Sequence, residues 1–332
     1  MLTVTLFTRK NCQLCEQARG DLNSLQEEIP HKLVEIDIES DEAIHKAYLA
    51  EIPVIEAGPY RLKAPFSLSE LRVTLGAAHD RRSQLEELSD PDYLRRVEKA
   101  GAMSGADKLS LWLSRHYIWL IFFLFVLYVG LPVLAPFLMK ANVQTPARVI
   151  YTVYSPLCHQ LGFRSIYLFG PQVFYPRAAA AQEGMQTFEQ ATGIPEDDLW
   201  AARQYLGSEE VGYKAALCAR DVAIYGAIVV FIGIFGITGR RIKPLHWILW
   251  LLIGIVPIGL DGFSQLFSQV GIPFLSEIFP YRESTPFLRT FTGALFGFAT
   301  AWFGLPYIEE SMLETRQLMA KKVRFIEETS KK

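Results

Sequence analysis

Residues 6–18, LFTRKNCQLCEQA, place two cysteines, with two residues between them, where a predicted strand meets a predicted helix. The run LTVTLF is rich in β-forming residues, and residues 16–28 have helical spacing. A helix N-terminus carries unpaired N–H groups and a partial positive charge, which favour a thiolate over a thiol. Cys12 is therefore the predicted nucleophile and the more acidic thiol, and Cys15 is predicted to resolve the mixed disulfide.

The segments that follow complete a small α/β domain over residues 1–78. Two more strands and a closing helix are predicted at HKLVEIDI (31–38), IPVIEA (52–57) and SLSELRVTLGAA (67–78). Ser67 is a suitable N-cap for this last helix, and Glu70 stands three residues later, which together predict a capping box. Residues 79–110 are rich in charge and are predicted to form a helical linker.

Strand, C-x-x-C, helix, strand and Ile-Pro-Val occur here in the order found in glutaredoxins, so residues 1–78 resemble a glutaredoxin-like domain of the thioredoxin superfamily. The resemblance implies thiol–disulfide exchange at Cys12 and Cys15 and a cis-proline at Pro53 beside them. It also implies a thiol reductant and a protein or small-molecule thiol partner. Glutaredoxins usually have a Gly-Gly turn that holds glutathione, whereas this chain has EAGPYRLKAPFS, so the use of glutathione stays open.

Two other interpretations of the cysteine pair remain. A metal site would need two further ligands, which the C-x-x-C alone does not supply. An inert domain that is retained only for binding would have the same sequence pattern.

The composition indicates a soluble part joined to a membrane part. Half of the 332 residues are hydrophobic and 13% are aromatic, while the formal net charge is only -2. A nucleic-acid-binding protein would be expected to carry a basic face, so we predict no nucleic-acid partner. Four cysteines are too few for a disulfide scaffold. The N-terminus MLTVTLFTRK lacks the pattern of a secretory signal peptide.

An α-helical membrane domain with four spans is predicted within residues 111–310. The four apolar segments are residues 117–139, 222–238, 245–260 and 290–308. A fifth candidate, residues 149–169, contains His159 and Arg164 and is interrupted by Pro156.

Charge predicts the orientation of these spans. With four spans, the N-terminal domain, the loop GRRIK and the charged tail at 311–332 lie on one side, which the positive-inside rule makes cytoplasmic. Residues 141–216 then form an outer excursion. The sequence therefore predicts a multi-pass protein of the cell (plasma) membrane, in contact with lipid, with its N-terminal domain in the cytoplasm.

Polar residues are predicted to form a layer at the outer ends of the spans. Its members are Cys158, His159, Gln160, Arg164, Cys218, Arg220, Asp221, Asp261, Gln265, Arg289 and Thr292. Ionisable groups near lipid usually face the bundle interior and form pairs, so one interpretation is structural: Arg220 or Arg289 neutralises Asp221 or Asp261. Of these pairs, we predict the one between Asp261 and Arg289. Gly293 and Gly297 form a G-x-x-x-G, which lets two helices approach closely.

Two sharper interpretations concern the cysteines of this layer. Cys158, His159, Cys218 and Asp221 offer ligand types suited to a tetrahedral metal such as zinc. Alternatively, Cys158 and Cys218 form a disulfide. Both interpretations require the two sulfurs to lie within roughly 7 Å.

Residues 150–310 resemble an uncharacterised prokaryotic membrane family known as domain of unknown function 2085. The matching elements are CHQ at 158–160, RS at 164–165, CAR at 218–220 followed by IYG, DGFSQ from 261 and ESTPFLRTFTGALFG from 283. The family pattern reads C-A-R-C, whereas this chain has Asp221 in the fourth position, which favours a mixed ligand set or a redox pair with one partner lost. The resemblance implies an architecture and no established activity.

The two halves together predict a membrane-tethered thiol–disulfide oxidoreductase. The alternatives are a redox-sensing transporter, a metal-binding membrane protein, and a structural membrane protein without catalysis in its membrane half.

Overall fold

The computed structural model describes residues 1–88, 102–270 and 280–330. The chain divides into two compact units. One consists of Met1–His116 together with Glu310–Lys332, and the other is Tyr117–Glu309.

The first unit is built on a four-stranded sheet. Its strands are β1 (Leu2–Thr8), β2 (His31–Asp37), β3 (Val54–Ala57) and β4 (Tyr60–Lys63), in the order β2-β1-β3-β4. β1 runs parallel to β2 and antiparallel to β3, and β4 is antiparallel to β3. The helices are α1 (Gln13–Ser24), α2 (Glu42–Tyr48) and α3 (Leu68–Glu87). The predicted α/β fold is confirmed, although α2 and β4 were not predicted.

The closing helix α3 begins as the sequence predicts and ends later. The Ser67 side chain accepts from the Glu70 N–H, and the Glu70 side chain accepts from the Ser67 N–H, which completes the capping box. The helix continues past residue 78 to Glu87. The predicted linker therefore begins with helix that belongs to the first unit, and residues 89–101 of that linker lie outside the described residues.

Apolar side chains cover both faces of the sheet because successive strand residues point to opposite faces. Leu6 packs on one face with Leu22 of α1 and Leu75 of α3. Phe7 packs on the other face with Tyr48 of α2 and Ala320 near the end of the chain. Ala320, in the segment that was predicted only as a charged tail, therefore contributes to this core.

The tail also makes polar contacts within the first unit. Lys321 Nζ lies 4.8 Å from the centre of the Tyr48 ring and 3.2 Å from Glu56 Oε1. Such a cation–π contact adds to the ion pair because an ammonium is attracted to the face of an aromatic ring. The end of the last helix is thus held by packing and by charge.

Among the residues that the structure describes, four helices are long and apolar enough to cross a membrane, as predicted. They are α4 (Gly105–Lys140), α8 (Ala219–Ile237), α9 (Trp247–Gln269) and α10 (Pro286–Ser330). The fifth candidate is not a spanning helix. Its helix, α5 (Gln144–Tyr154), has 11 residues and would cover only about 16 Å of a hydrocarbon core of about 30 Å.

The excursion between α4 and α8 folds around a small antiparallel sheet that was not predicted. Its strands are β5 (Ser165–Leu168), β6 (Gly207–Ser208) and β7 (Gly212–Cys218), in the order β5-β7-β6, and its short helices are α6 (Phe188–Thr192) and α7 (Leu199–Gln204). β7 leads directly into α8, so Cys218 is both the last strand residue and the N-cap of the helix. The sheet therefore fixes where α8 begins.

The glycines of G-x-x-x-G bring α10 against α8. A Cβ on Gly297 would lie 2.1 Å from the carbonyl oxygen of Ile224, and one on Gly293 would lie 2.8 Å from that of Arg220. Neither distance is compatible with a side chain. The predicted close approach is confirmed, and it places the first turn of α8 beside the first turns of α10.

Candidate functional site

The C-x-x-C pair lies at the start of α1 and forms a disulfide. Cys12 is the N-cap of the helix, and its Sγ accepts from the Cys15 N–H at 3.2 Å. Cys12 is half-buried, whereas Cys15 is 1% exposed. An incoming partner can therefore reach the first sulfur more readily than the second.

Pro53 lies at the same end of the sheet as this disulfide. The Ile52–Pro53 bond is cis, as the resemblance implies. Val54, the next residue, pairs with Phe7 near the end of β1, and the loop that carries Cys12 follows β1 directly. The order of the elements thus brings the proline strand and the cysteine loop to one edge.

The residues just before Cys12 were not predicted to belong to the site. Arg9 and Lys10 are exposed, and Asn11 has a φ of 58°, a left-handed conformation that asparagine adopts more easily than most residues. Two cations beside a helix N-terminus favour a thiolate at this position. The sequence RKN before Cys12 could have indicated these residues.

The second candidate site lies in the excursion and the first turn of α8. One ligand-type atom from each of Cys158, Cys218 and Asp221 lies within 4.8 Å of the other two. The Cys218 N–H donates to Cys158 Sγ at 3.3 Å, and the Cys218 thiol donates to Asp221 Oδ2 at 3.1 Å. Both cysteines are free. The predicted proximity of the two sulfurs is confirmed, and they form no disulfide in the structure.

His159 is not part of this group. Its side chain is exposed, and it lines a cavity of about 250 Å³ that Cys158, Cys218 and Asp221 also line. Of the four predicted ligands, only Cys158, Cys218 and Asp221 bring their ligand atoms together. His159 does not, because the backbone turns between Cys158 and Gln160.

A buried polar network holds the Cys158 loop in place. Gln160 has a φ of 52°, and its Nε2 donates to the carbonyls of Tyr151 and Ala216 at 2.9 Å each. Lys214 Nζ donates to the Gln160 carbonyl at 2.7 Å and to the Arg203 carbonyl at 2.7 Å. Burial lowers the pKa of Lys214 to about 7. Gln160 was predicted to lie in the polar layer, whereas its partner Lys214 was not predicted, although a lysine within the apolar run of β7 was a visible signal.

The two free thiols have different proton affinities. The side-chain interaction with Cys218 lowers the pKa of Cys158, and burial opposes this effect. The same interaction, together with burial, raises the pKa of Cys218. Cys158 is therefore the thiol of this pair that ionises first.

Asp261 of α9 is held by two arginines and a serine. Arg220 of α8 pairs with Asp261 Oδ2, and Arg282 Nη2 lies 2.8 Å from Oδ1. Ser284 Oγ donates to Oδ2 at 2.7 Å. The carboxylate is 2% exposed in this environment, so its charge is compensated by close partners rather than by solvent.

The predicted pair between Asp261 and Arg289 is wrong. Arg289 Nη2 lies 2.5 Å from Glu283 Oε1 and 2.9 Å from Gln265 Oε1, and its Nε donates to the Ser284 carbonyl. The physical reason is local, because the loop before α10 supplies a carboxylate six residues before Arg289, within reach of the first turn of that helix.

Glu283 also pairs with Arg164 and Arg177 of the excursion, at 3.0 and 3.7 Å. Glu283 is the first residue of the motif ESTPFLRTFTGALFG, but no role was predicted for it. Thr292, also a predicted member of the layer, instead donates to the Leu288 carbonyl within its own helix.

Comparison with known proteins finds one family match within each of the two units. Residues 3–76 match the family described as "Glutaredoxin-like domain (DUF836)", and residues 211–303 match the family described as "Predicted membrane protein (DUF2085)". An uncharacterized protein of Methanocaldococcus jannaschii, MJ1492, is 26% identical over 164 residues, which cover 48% of this chain and 69% of that protein. No solved structure matches the chain.

Proposed function

We propose that this chain, which joins a glutaredoxin-like domain to a DUF2085 membrane domain, is a thiol–disulfide oxidoreductase held at the membrane. The observation that carries the proposal is the geometry of the C-x-x-C pair. Cys12 caps α1 and is the more accessible of the two cysteines, while Cys15 is buried within bonding distance.

The reaction begins from the reduced pair. The Cys12 thiolate attacks one sulfur of a disulfide R–S–S–R′, so that a Cys12–S–R bond forms and R′S⁻ leaves. Cys15 then attacks the Cys12 sulfur, RS⁻ leaves, and the Cys12–Cys15 disulfide forms. The substrate disulfide gains two electrons and the cysteine pair loses them. A thiol reductant returns the pair to its starting state by the reverse exchange.

The reductant distinguishes two versions of this function, one that uses glutathione and one that uses a dithiol. The full-length protein in detergent, with Cys158→Ser and Cys218→Ser to remove the other thiols, would be assayed for reduction of hydroxyethyl disulfide by glutathione and of insulin disulfides by dithiothreitol. We expect turnover with at least one of these pairs. If neither reductant opens the Cys12–Cys15 disulfide in the folded protein, the redox proposal is wrong.

We also propose that the protein resides in the cell membrane with its N-terminal domain, the GRRIK loop and its C-terminal end in the cytoplasm. The proposal is supported by the four apolar helices and by the cations of that loop, Arg240, Arg241 and Lys243. Arg241→Cys, in a background without the four native cysteines, should label with an impermeant maleimide only after cell lysis. Val173→Cys in the excursion serves as the control, because it is exposed and should label in intact cells. The reverse pattern would contradict the orientation.

A further inference from the structure

We propose that Cys158, Cys218 and Asp221 form a binding site for one divalent transition metal of the zinc class. This site is separate from the C-x-x-C pair and does not depend on the function proposed for it. The proposal rests on the convergence of three ligand atoms and on the way in which the surrounding charges are paired.

The ligand atoms are already close to coordinating distance. Around a tetrahedral zinc, two sulfurs bound at about 2.3 Å lie about 3.8 Å apart. The atoms of Cys158, Cys218 and Asp221 lie within 4.8 Å of one another, so an approach of about 1 Å would complete the set. Cys218 and Asp221 lie three residues apart at the start of α8 and share a helix face. The loop after α5 adds Cys158 from 60 residues earlier in the chain.

The Asp221 carboxylate contacts the thiols and takes no part in the ion pairs described above. Five arginines in or beside the layer pair with Asp261 and Glu283, namely Arg164, Arg177, Arg220, Arg282 and Arg289. Within residues 1–88, 102–270 and 280–330, no such ion pair reaches Asp221, whose side chain accepts instead from the Cys218 thiol. The Asp221 carboxylate and the two thiols therefore form a set of ligands suited to a cation. In the part of the chain that the structure describes, Asp221 is not a member of the salt-bridge network that the guanidinium groups form.

The positive charge of the layer does not oppose such a metal. Cysteine binds a metal as thiolate, so a divalent ion displaces two thiol protons and leaves the formal charge of the site unchanged. Soft sulfur ligands with one carboxylate select zinc or its neighbours over magnesium or calcium.

Three protein ligands leave a fourth coordination position, as in catalytic rather than structural zinc sites. The three residues line the cavity of about 250 Å³ that His159, Arg164 and Arg289 also line. The fourth position is therefore available to water or to a small anion that the arginines attract.

The site is tested by metal binding in a chain whose other cysteines are absent. The full-length Cys12→Ser/Cys15→Ser protein in detergent, stripped of metal and reduced, would be titrated with Co²⁺. We expect one equivalent to bind with a thiolate-to-cobalt charge-transfer band. Asp221→Asn should weaken binding by about tenfold or more. Asp221→Cys should raise the band intensity about 1.5-fold, since the thiolates increase from two to three. The titration would then be repeated on wild-type protein with its Cys12–Cys15 disulfide oxidised, so that the result does not depend on the two serine substitutions.

Asp197→Asn is the matched control, because Asp197 is an exposed carboxylate of the same excursion. It should leave Co²⁺ binding unchanged. Three results would overturn the proposal: no Co²⁺ uptake by reduced protein in which both thiols react with a thiol reagent, equal affinity in Asp221→Asn, or a Cys158–Cys218 disulfide in the purified protein by mass spectrometry. Because the titrated chain lacks the C-x-x-C pair, these results are independent of the redox assay.

Discussion

Cys12→Ser is expected to abolish thiol–disulfide exchange by the N-terminal domain, whereas Cys15→Ser is expected to stop the reaction at a mixed disulfide. The loss for Cys12→Ser should be on the order of a thousandfold or more, since a hydroxyl at neutral pH cannot replace a thiolate as nucleophile. In Cys15→Ser the attacking sulfur remains and only the resolving sulfur is absent. The covalent adduct should therefore accumulate on Cys12.

The measurement is the exchange rate with hydroxyethyl disulfide, combined with intact-mass analysis of each variant. The matched control is Cys158→Ser, which removes a thiol of the second unit and should leave this rate unchanged. If Cys15→Ser, rather than Cys12→Ser, lost all reactivity and Cys12→Ser carried the adduct, the two roles would be reversed. Such a result would contradict the inference drawn from the buried position of Cys15.

The N-terminal fold could be predicted because its signals are local. The β-rich run before Cys12, the helical spacing after it and the capping box at Ser67 each depend on a few neighbouring residues. β4 escaped prediction because it has only four residues and is mostly exposed, so no apolar alternation marks it. The role of Ala320 escaped prediction because the sheet face that it covers lies far away in sequence.

The sequence predicted which residues belong to the polar layer better than it predicted which of them form ion pairs with each other. The cost of ionisable groups near lipid identified Asp261 and Arg289 as partnered, and both are buried. Which carboxylate meets which guanidinium depends on backbone positions that spacing does not give. Arg289 reaches the loop residue Glu283 rather than Asp261, and Arg220 of α8 takes the place that was predicted for Arg289.

The Lys214 network shows the same limit. Its ammonium group meets two carbonyls, those of Gln160 and Arg203, that lie 54 and 11 residues away in the chain. A lysine within an apolar strand signals a buried partner, but only the folded excursion identifies the partner. Sequence therefore indicates that a polar group must be compensated, and tertiary structure decides how.

Glu283→Gln is expected to cause the largest loss of stability of any single substitution among the residues of the polar layer and their ion-pair partners, about 3–5 kcal/mol in the free energy of unfolding. The Glu283 carboxylate is 2% exposed and the Arg289 side chain is 7% exposed, so solvent does not screen their interaction. An exposed ion pair would contribute only about 0–1 kcal/mol. The neutral amide would leave buried cations without their counter-ion, and uncompensated buried charge costs more than the loss of one contact.

A double-mutant cycle separates this effect from general disruption. Glu283→Gln and Arg289→Gln should be coupled by about 0.5–3 kcal/mol, the double variant being less unstable than the sum of the two single variants predicts, because it removes both charges of the pair. Recovery should be incomplete, since Arg164 and Arg177 also face Glu283. The matched control is the cycle of Asp261→Asn with Arg289→Gln. These residues form no ion pair with each other, so their effects should add more closely. The free energies would be measured by unfolding in mixed micelles. Strict additivity in the Glu283 cycle, or stronger coupling in the Asp261 cycle, would show that Arg289 takes its counter-ion from α9 after all.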